Sequence, residues 1–342
     1  MLLVDVGGTL ITRTELGMAT RVARAVRQAV GDNPELLEVV RRSMLTAPDV
    51  DACLRALDVV PPSVRSVVAS VLSEDMGQAV TLPGAEDLLR TAAALGWTVV
   101  VATNAGPGTP DLPGELERHV TATVESRGCG LVKEDPLFWT RLVDEHLIDR
   151  GMALVVGDQE DADRRAPAAA GLQSRCVPSD GSGLATLIDD LLAAGPVPPD
   201  AVAVVAGDRE RWAGRDIVCA PHLESLVTRV TRARVPFSAG SSTGVAVVVR
   251  RRSQPPAVVG HRTDLPAITW LLRGRERPQY TTPASLRTLL ASQGLSLDVL
   301  SPSDQRHALS VIREARTDAT VEERTRDLVR FLMERGKAPA DE

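Results

Sequence analysis

The chain has 342 residues, with 39 basic against 45 acidic side chains and a formal net charge of −6. This acidic balance argues against a general nucleic-acid-binding surface and against binding to an anionic membrane. No apolar run reaches the roughly 18 residues of a membrane-spanning helix, and an apolar strand beginning at residue 2 leaves no room for a cleavable signal. We therefore expect a cytoplasmic protein, long enough for two domains.

Cysteine and lysine usage narrows the chemistry. The four cysteines are far apart and form no CxxC pair, which predicts reduced thiols and no zinc site. Apart from Lys337 near the end of the chain, Lys133 is the only lysine, so nearly every basic residue is arginine. An interior lysine in such a chain indicates a site that needs a compact ammonium group.

The first ten residues, MLLVDVGGTL, carry the first structural signal. Residues 2–4 form an apolar run that predicts a buried parallel strand, and the strand ends at Asp5. An acid at the carboxyl end of such a strand lies where α/β sheets bind ligands. The pair Gly7 and Gly8 predicts a close backbone approach to a ligand, with N–H groups available to an anion.

A helical insert follows, over residues 14–80. Met18, Val22, Val26 and Val30 recur every four residues and predict one face of a helix. Further helices are predicted at 36–44, 51–57 and 64–72. These apolar stripes are typical of core packing within the insert.

Strands and helices then alternate from 81 to 195. Helices are predicted at 85–95, 137–147 and 184–192, and strands at 97–102, 153–156 and 176–177. This alternation predicts an α/β fold with a doubly wound parallel sheet. The second strand runs into Thr103 and Asn104, and the third into Asp158.

The remainder of the chain predicts a smaller α+β region. A Pro- and Gly-rich stretch at 195–199 indicates a boundary, followed by strands at 202–205 and 217–218, a helix at 223–230 and a polar linker at 236–244. A strand at 245–252 and helices at 286–290, from Pro302, and from a capping box of Thr320 and Glu323 complete it. We predict a first domain at 1–195 (core 1–13 and 81–195, helical cap 14–80), a linker or α/β extension at 196–240, and a C-terminal module at 241–342.

Polar residues at three strand ends define the candidate site. If those strands are neighbours, Asp5, Thr103, Asn104 and Asp158 converge on one crevice, with Lys133 between the second and third in sequence. Carboxylates and a backbone carbonyl form an oxygen site that suits Mg²⁺. The metal and Lys133 would neutralise a phosphate, and Asp5 would attack phosphorus to give an aspartyl-phosphate.

These motifs resemble those of the haloacid dehalogenase (HAD) superfamily, over roughly residues 1–195. The DxxGT stretch from Asp5 resembles the first motif and Thr103 the second. Lys133 in VKEDPLFW resembles the third, where the family often reads KPDPxxF. Asp158 and Asp163, spaced GDxxxxD, resemble the fourth. The insert lies where members with a first-type cap carry theirs.

The resemblance implies a role for each matching residue. Asp5 would be the nucleophile and a metal ligand, and Gly7 would offer its backbone carbonyl to the metal. Asp158 would bind Mg²⁺, with Asp161 as a competing choice, and Asp163 would orient the lysine or metal-bound water. The phosphoryl group would be bound by Gly8, Thr9, Thr103, Asn104 and Lys133.

One departure leaves the activity open. HAD phosphatases usually carry a second aspartate two residues after the nucleophile, and here that residue is Gly7. A missing general acid–base costs about 10²- to 10⁴-fold in rate. One interpretation is a slow or specialised Mg²⁺-dependent phosphatase of a small phosphorylated metabolite. The others are different HAD chemistry, and a catalytically impaired domain that binds a ligand, regulates or contacts a protein.

Two kinds of alternative HAD chemistry fit the sequence less well. Phosphonatase-like members use a cap lysine, and residues 14–80 contain no lysine. Dehalogenase-like members use no metal, whereas Asp158 and Asp163 favour one.

The tail from 283 to 337 partly resembles the helical end of the YdeI/OmpD-associated family, although Val311 lies near the place of its expected tryptophan. That resemblance implies no known chemistry. We expect the C-terminal module to modulate access or recruit a protein partner, and the arginine-rich stretch at 250–277 to be a solvated face rather than a nucleic-acid surface.

Overall fold

The structure is a computed structural model. It describes residues 1–13, 17–74, 78–107, 109, 111–206, 209–212, 215–220, 223, 232–251, 254–260, 265–273, 284–313, 315 and 317–336. The chain divides into two compact units, Met1–Arg273 and Gly274–Glu342. Within the described residues, no helix combines the length and the apolar character needed to cross a membrane.

The strands are short and most lie in two sheets. They are β1 (Leu2–Val4), β2 (Ile11–Arg13), β3 (Ala79–Thr81), β4 (Val99–Thr103), β5 (Ala122–Glu125), β6 (Leu154–Gly157), β7 (Gln173–Cys176), β8 (Ala201–Ala206), β9 (Arg209–Trp212), β10 (Arg215–Cys219), β11 (Arg232–Ala239), β12 (Ser242–Arg251), β13 (Gln254–Gly260) and β14 (Ile268–Leu272).

The helices of the first unit are α1 (Met18–Val30), α2 (Pro34–Thr46), α3 (Val50–Ala56), α4 (Pro62–Leu72), α5 (Ala85–Ala94), α6 (Gly114–Glu117), α7 (Ser126–Cys129), α8 (Pro136–Glu145), α9 (Ala166–Ala169) and α10 (Leu184–Ala194). The second unit contains α11 (Ala284–Ser292), α12 (Pro302–Arg313) and α13 (Asp318–Gly336). Its helices bury a separate apolar cluster that includes Leu290, Leu309 and Leu332.

Among the described residues, five strands form the parallel sheet, in the order β5-β4-β1-β6-β7. Alternate side chains of β1 enter opposite cores: Leu2 and Val4 pack beneath α5 and α10, and Leu3 packs with Trp139 of α8. The predicted α/β class is confirmed by this sheet, and β1 lies at its centre.

The predicted insert is helical and has its own core. Helices α1 to α4 bury Val22, Val26, Met44, Val64 and Val68 against one another. Strands β2 and β3 pair antiparallel on either side of the insert in sequence. The helix α2 begins at an Asn33 cap that accepts from the Leu36 N–H, with Pro34 in the first turn.

The region after residue 195 differs from its prediction. Over the part of the chain that the structure describes, seven strands form one antiparallel sheet, in the order β8-β14-β11-β12-β13-β10-β9. The segment 236–244, predicted as a polar linker, is the hairpin between β11 and β12, in which Pro236 pairs with Val245. The predicted boundary at 240 therefore falls in the hairpin turn, because strands on both sides of it share one sheet. Most of the helix predicted at 223–230 lies outside the described residues.

The second sheet shares a core with the first. Trp270 of β14 packs against Trp97 with 4.9 Å between ring centroids and the ring planes tilted by 45°, and both rings belong to the cluster beneath α5 and α10. The buried Gln173 side chain donates to the Cys219 carbonyl at 2.8 Å and accepts from the Ala206 N–H at 2.6 Å. The predicted boundary at 195 therefore lies inside the first unit, whose compact part extends to Arg273.

The last helix begins earlier than its predicted capping box. Helix α13 begins at Asp318, and the Thr317 hydroxyl accepts from the Thr320 N–H at 3.3 Å. Thr317 therefore occupies the capping place that the sequence pattern gave to Thr320.

Candidate active site

Three neighbouring strands bring the predicted polar residues to one edge of the parallel sheet. Val4 of β1 lies in register with Val101 of β4 on one side and Val156 of β6 on the other. Asp5 lies one residue beyond this level, directly after β1. Thr103, the last residue of β4, and Asp158, directly after β6, lie two residues beyond it. Because parallel strands share one carboxyl edge, the three side chains start from adjacent positions.

Three carboxylates meet at this edge. Asp5, Asp158 and Asp163 each offer one oxygen, and these oxygens all lie within 4.8 Å of one another. Ligands of one ion at 2.0–2.6 Å are at most about 5 Å apart, so this spacing is compatible with a single bound cation.

The lysine lies against the carboxylates. Lys133 is 1% exposed, and its ammonium pairs with Asp5 and, at 2.5 Å, with Asp163. Of the charged groups that the structure describes in this cluster, three are carboxylates and one is an ammonium, which leaves two negative charges. Asp5, Asp163 and Lys133 are buried, and Asp158 is half-buried. A net charge of this size is costly to bury without a cation.

Asp163 reaches the cluster through an irregular turn. It lies on a π-helical turn, Glu160–Arg165, where its carboxylate accepts from the Gln159 N–H at 3.0 Å. A Cβ on Gly157 would lie 2.1 Å from Asp163 Cγ, so only glycine leaves room for this side chain. Asp161 is exposed and pairs with Arg165 at 3.0 Å, so the carboxylate that joins the cluster is Asp163.

The glycine turn makes room for Asp158. Gly8 has a φ of 85°, and a Cβ there would lie 2.3 Å from Asp158 Oδ2. The Gly8 N–H donates to the Ile11 carbonyl at 2.8 Å, and the Thr9 N–H to the Val6 carbonyl at 3.3 Å. Both backbone donors are engaged within the turn, so the Gly8 N–H, which the sequence predicted to be available to an anion, already has a partner. The phosphate-binding roles of Gly8 and Thr9 stay predictions.

Gly7 differs from its neighbour. It is exposed, and a Cβ there would have no atom within 4 Å. The position can therefore accept a side chain.

Residues around Lys133 fix its loop. Asn104 accepts from the Lys133 N–H at 2.9 Å and donates to Glu134 at 3.0 Å. The indole N–H of Trp139 lies 2.8 Å from the Lys133 carbonyl and 3.2 Å from the Ala162 carbonyl, which joins the lysine loop to the turn bearing Asp163. The predicted phosphate-binding residue Thr103 is buried at the end of β4.

Sequence reasoning missed the roles of Glu134 and Trp139. The signal for Glu134 was its position directly after the lysine, where the family motif often has proline. Trp139 was visible only as the second aromatic of VKEDPLFW, and its two carbonyl partners lie in different motifs.

Burial controls the electrostatics of the site. Burial raises the pKa of Asp5 to about 6, with Lys133 opposing the shift and Asp163 adding to it. Burial and the Asp163 charge also raise the pKa of Asp158. Burial lowers the pKa of Lys133, but the adjacent Asp5 and Asp163 outweigh that effect and raise it overall, so the group is an ammonium.

The residues present suit a divalent cation. Asp5 Oδ2 and Asp158 Oδ1 are buried, and neither accepts a hydrogen bond from the residues that the structure describes. A buried carboxylate oxygen without a donor is costly, and a hard cation such as Mg²⁺ prefers this kind of ligand.

Comparison with known proteins gives structural matches only. No protein-family model matches the chain, and no curated protein matches it. Among the solved structures that resemble it is a 2-haloacid dehalogenase from Pseudomonas syringae, with 19% identity over 51% of this chain and 84% of that chain and a TM-score of 0.34.

Two further structures are described as HAD proteins. One is a HAD family enzyme from Bacteroides thetaiotaomicron in complex with magnesium and inorganic phosphate, with 16% identity, 52% and 93% coverage and a TM-score of 0.36. The other is a HAD phosphatase from Thermococcus onnurineus, with 15% identity, 53% and 87% coverage and a TM-score of 0.32. At these identities, no activity transfers from them to this chain.

Proposed function

We propose that this chain is a HAD-like, Mg²⁺-dependent phosphohydrolase that acts on a small phosphorylated metabolite. The observation that carries the proposal is the cluster of the buried Asp5, Asp163 and Lys133 with the half-buried Asp158, and its two excess negative charges. A divalent cation would balance that excess, and the ammonium lies against the carboxylate that has to act as nucleophile.

Asp5 and Asp158 would hold the cation through their buried oxygens, with the Gly7 carbonyl as a further ligand. When bound, Mg²⁺ would neutralise the charge of the phosphoryl group during transfer. Lys133 would bind a phosphoryl oxygen with its ammonium, and Asp163 would hold that ammonium in position. The phosphoryl-binding roles of Thr103 and the Asn104 N–H belong to the same proposal.

The reaction has two steps. A carboxylate oxygen of Asp5 attacks phosphorus, the phosphorus–oxygen ester bond breaks, and the leaving oxygen takes a proton. Water then attacks the aspartyl-phosphate and releases inorganic phosphate, which restores the carboxylate. Because Gly7 provides no acid, the leaving oxygen receives its proton from water or from the substrate itself, and turnover is slow.

A screen of phosphorylated metabolites with and without Mg²⁺ tests this proposal. We expect phosphate release that depends on Mg²⁺ and is lost in Asp5→Asn, which keeps the size of the side chain. Phosphate release that persists in Asp5→Asn contradicts catalysis at this site. Absence of both turnover and metal binding across the screen contradicts the whole proposal.

The absence of an acid at Gly7 favours a second candidate, a binding or regulatory domain without turnover. This candidate predicts that the protein binds Mg²⁺ and a phosphorylated ligand but releases no phosphate. Calorimetric titration of Mg²⁺, followed by inorganic phosphate, separates the two because it measures binding independently of catalysis. A cytoplasmic location and a protein partner for residues 241–342 also remain proposals.

A further inference from the structure

A chain of hydrogen bonds runs from the helical insert to the candidate nucleophile. Arg41 of α2 donates to Glu134 at 2.7 Å, and the other Glu134 oxygen accepts from the Asn104 amide at 3.0 Å. Asn104 in turn accepts from the Lys133 N–H at 2.9 Å, and the Lys133 ammonium donates to Asp5. Glu134 is the member that joins the helix to the lysine loop.

The link between the helix and Glu134 is sheltered and held on both sides. The Arg41 and Glu134 side chains are 32% and 24% exposed, so solvent screens this pair less than one on the open surface. Arg41 is also fixed within its own helix, where its Nε donates to Glu38 at 2.9 Å. The guanidinium is therefore oriented by α2 before it meets Glu134.

A second group of contacts holds the end of α2 over the same region. The Ser126 hydroxyl donates to the Leu45 carbonyl of α2 and accepts from the Ala105 N–H at 3.0 Å. A Cβ on Gly106 would lie 2.5 Å from the Met44 carbonyl, so the two backbones approach closely. The helix is thus placed directly against the segment that follows Thr103.

We propose that Glu134 is a positioning residue through which α2 holds the Lys133 loop, so that the docked insert keeps the ammonium against Asp5. A proline, which the family motif often has at this position, could form neither contact. The kinetic consequence of this inference rests on the proposed function, whereas the structural coupling can be measured without it.

The Lys133 backbone amide is the reporter of the coupling, because its N–H donates to Asn104. Its hydrogen exchange can be followed by NMR on the full chain. We expect about tenfold faster exchange in Arg41→Ala and in Glu134→Ala, because either change removes the contact between Arg41 and Glu134. Since Glu134→Ala already removes the contact with Arg41, the double variant should exchange no faster than Glu134→Ala alone.

Arg42 provides a matched control. It is the next residue of α2, its side chain is 57% exposed, and it pairs with Glu38 of its own helix at 2.9 Å. Arg42→Ala should leave exchange at Lys133 unchanged, and Arg41→Lys should restore part of the protection because it keeps the charge. Equal exchange in Arg41→Ala and Arg42→Ala overturns the proposal, as does full additivity in the double variant.

Kinetics supply the second readout. With a generic phosphate ester and saturating Mg²⁺, Arg41→Ala and Glu134→Ala should lower kcat about tenfold and also raise KM, because the displaced ammonium would serve both Asp5 and the phosphoryl group. Arg42→Ala should change neither constant. An unchanged kcat in both variants overturns the positioning role. If the wild-type protein has no turnover, the proposed function fails, and the exchange experiment alone decides the coupling.

Discussion

The glycine at position 7 is the sharpest test of the proposed reaction, because the structure leaves space there for the missing acid. A Cβ on Gly7 would meet no atom within 4 Å, and its φ lies outside the left-handed region. Gly7→Asp should therefore fold normally. The new carboxylic acid would follow Asp5 by two residues, the spacing that HAD phosphatases usually show.

The expected gain follows from general acid–base catalysis. A positioned proton donor contributes about 10²- to 10⁴-fold, which corresponds to about 2.7–5.4 kcal/mol of transition-state free energy at 1.36 kcal/mol per decade. The assay is release of inorganic phosphate from an alkyl phosphate ester at saturating Mg²⁺, over a range of pH. We expect kcat to rise by at least about 100-fold and to fall at high pH, where the new acid loses its proton.

Gly7→Asn is the matched control, because it fills the same space without an acid and should show no such gain. A Gly7→Asp variant that folds and binds Mg²⁺, yet shows the wild-type kcat, would refute the reasoning. Proton transfer to the leaving group would then not limit the reaction. If neither the variant nor the wild-type protein releases phosphate, the binding-domain interpretation is favoured.

Three further predictions concern the metal site and its charges. Mg²⁺ at 100 times its Kd should raise the free energy of unfolding of the wild-type protein by about 2.7 kcal/mol and that of Asp158→Asn by much less. If urea titrations show that Mg²⁺ stabilises both proteins equally, the metal site is contradicted. Gly8→Ala should lose the Mg²⁺ effect and at least about 1 kcal/mol of stability, because its Cβ would lie 2.3 Å from Asp158 Oδ2. Gly7→Ala is the control and should keep both the Mg²⁺ effect and the stability of the wild-type protein. A normal Mg²⁺ effect in Gly8→Ala would refute the close approach. Without a divalent cation, the pKa of Asp5 is about 6 in the folded protein, against an ordinary value of 3.8. As the pH rises from about 4 to 6, the unfolded chain therefore loses this proton before the folded protein does. The free energy of unfolding should fall over this range by up to about 3 kcal/mol. Denaturation of wild-type protein and Asp5→Asn in EDTA at pH 4 and 6 measures this difference, and an identical pH dependence would exclude the shift.

Much of the first unit could be predicted because its signals are local. Leu2–Val4 is a continuous apolar run, as expected of a strand buried on both faces, and it ends where the structure ends β1. The four-residue spacing of Met18, Val22 and Val26 likewise predicts the buried face of α1.

The second sheet was predicted poorly because its signals are mixed. Residues 236–244 contain Pro236, Gly240 and several serines, a composition typical of a linker. Proline has no N–H to donate to a neighbouring strand. Pro236 precedes the residues of β11 that pair with β14, which begin at Phe237, so it does not interrupt that pairing. Only the partner strands distinguish this hairpin from a linker.

The sequence by itself determined which residues terminate the buried strands and which lysine is available, because strand ends and residue types are properties of adjacent residues. It could not determine the net charge of the cluster, the raised pKa of Asp5 or the contact of Arg41 with Glu134, which lie 93 residues apart. Those properties depend on the placement of β1 between β4 and β6 and on the docking of α2. Charge, burial and pKa are set by neighbours in space, and only the tertiary structure decides which groups become neighbours.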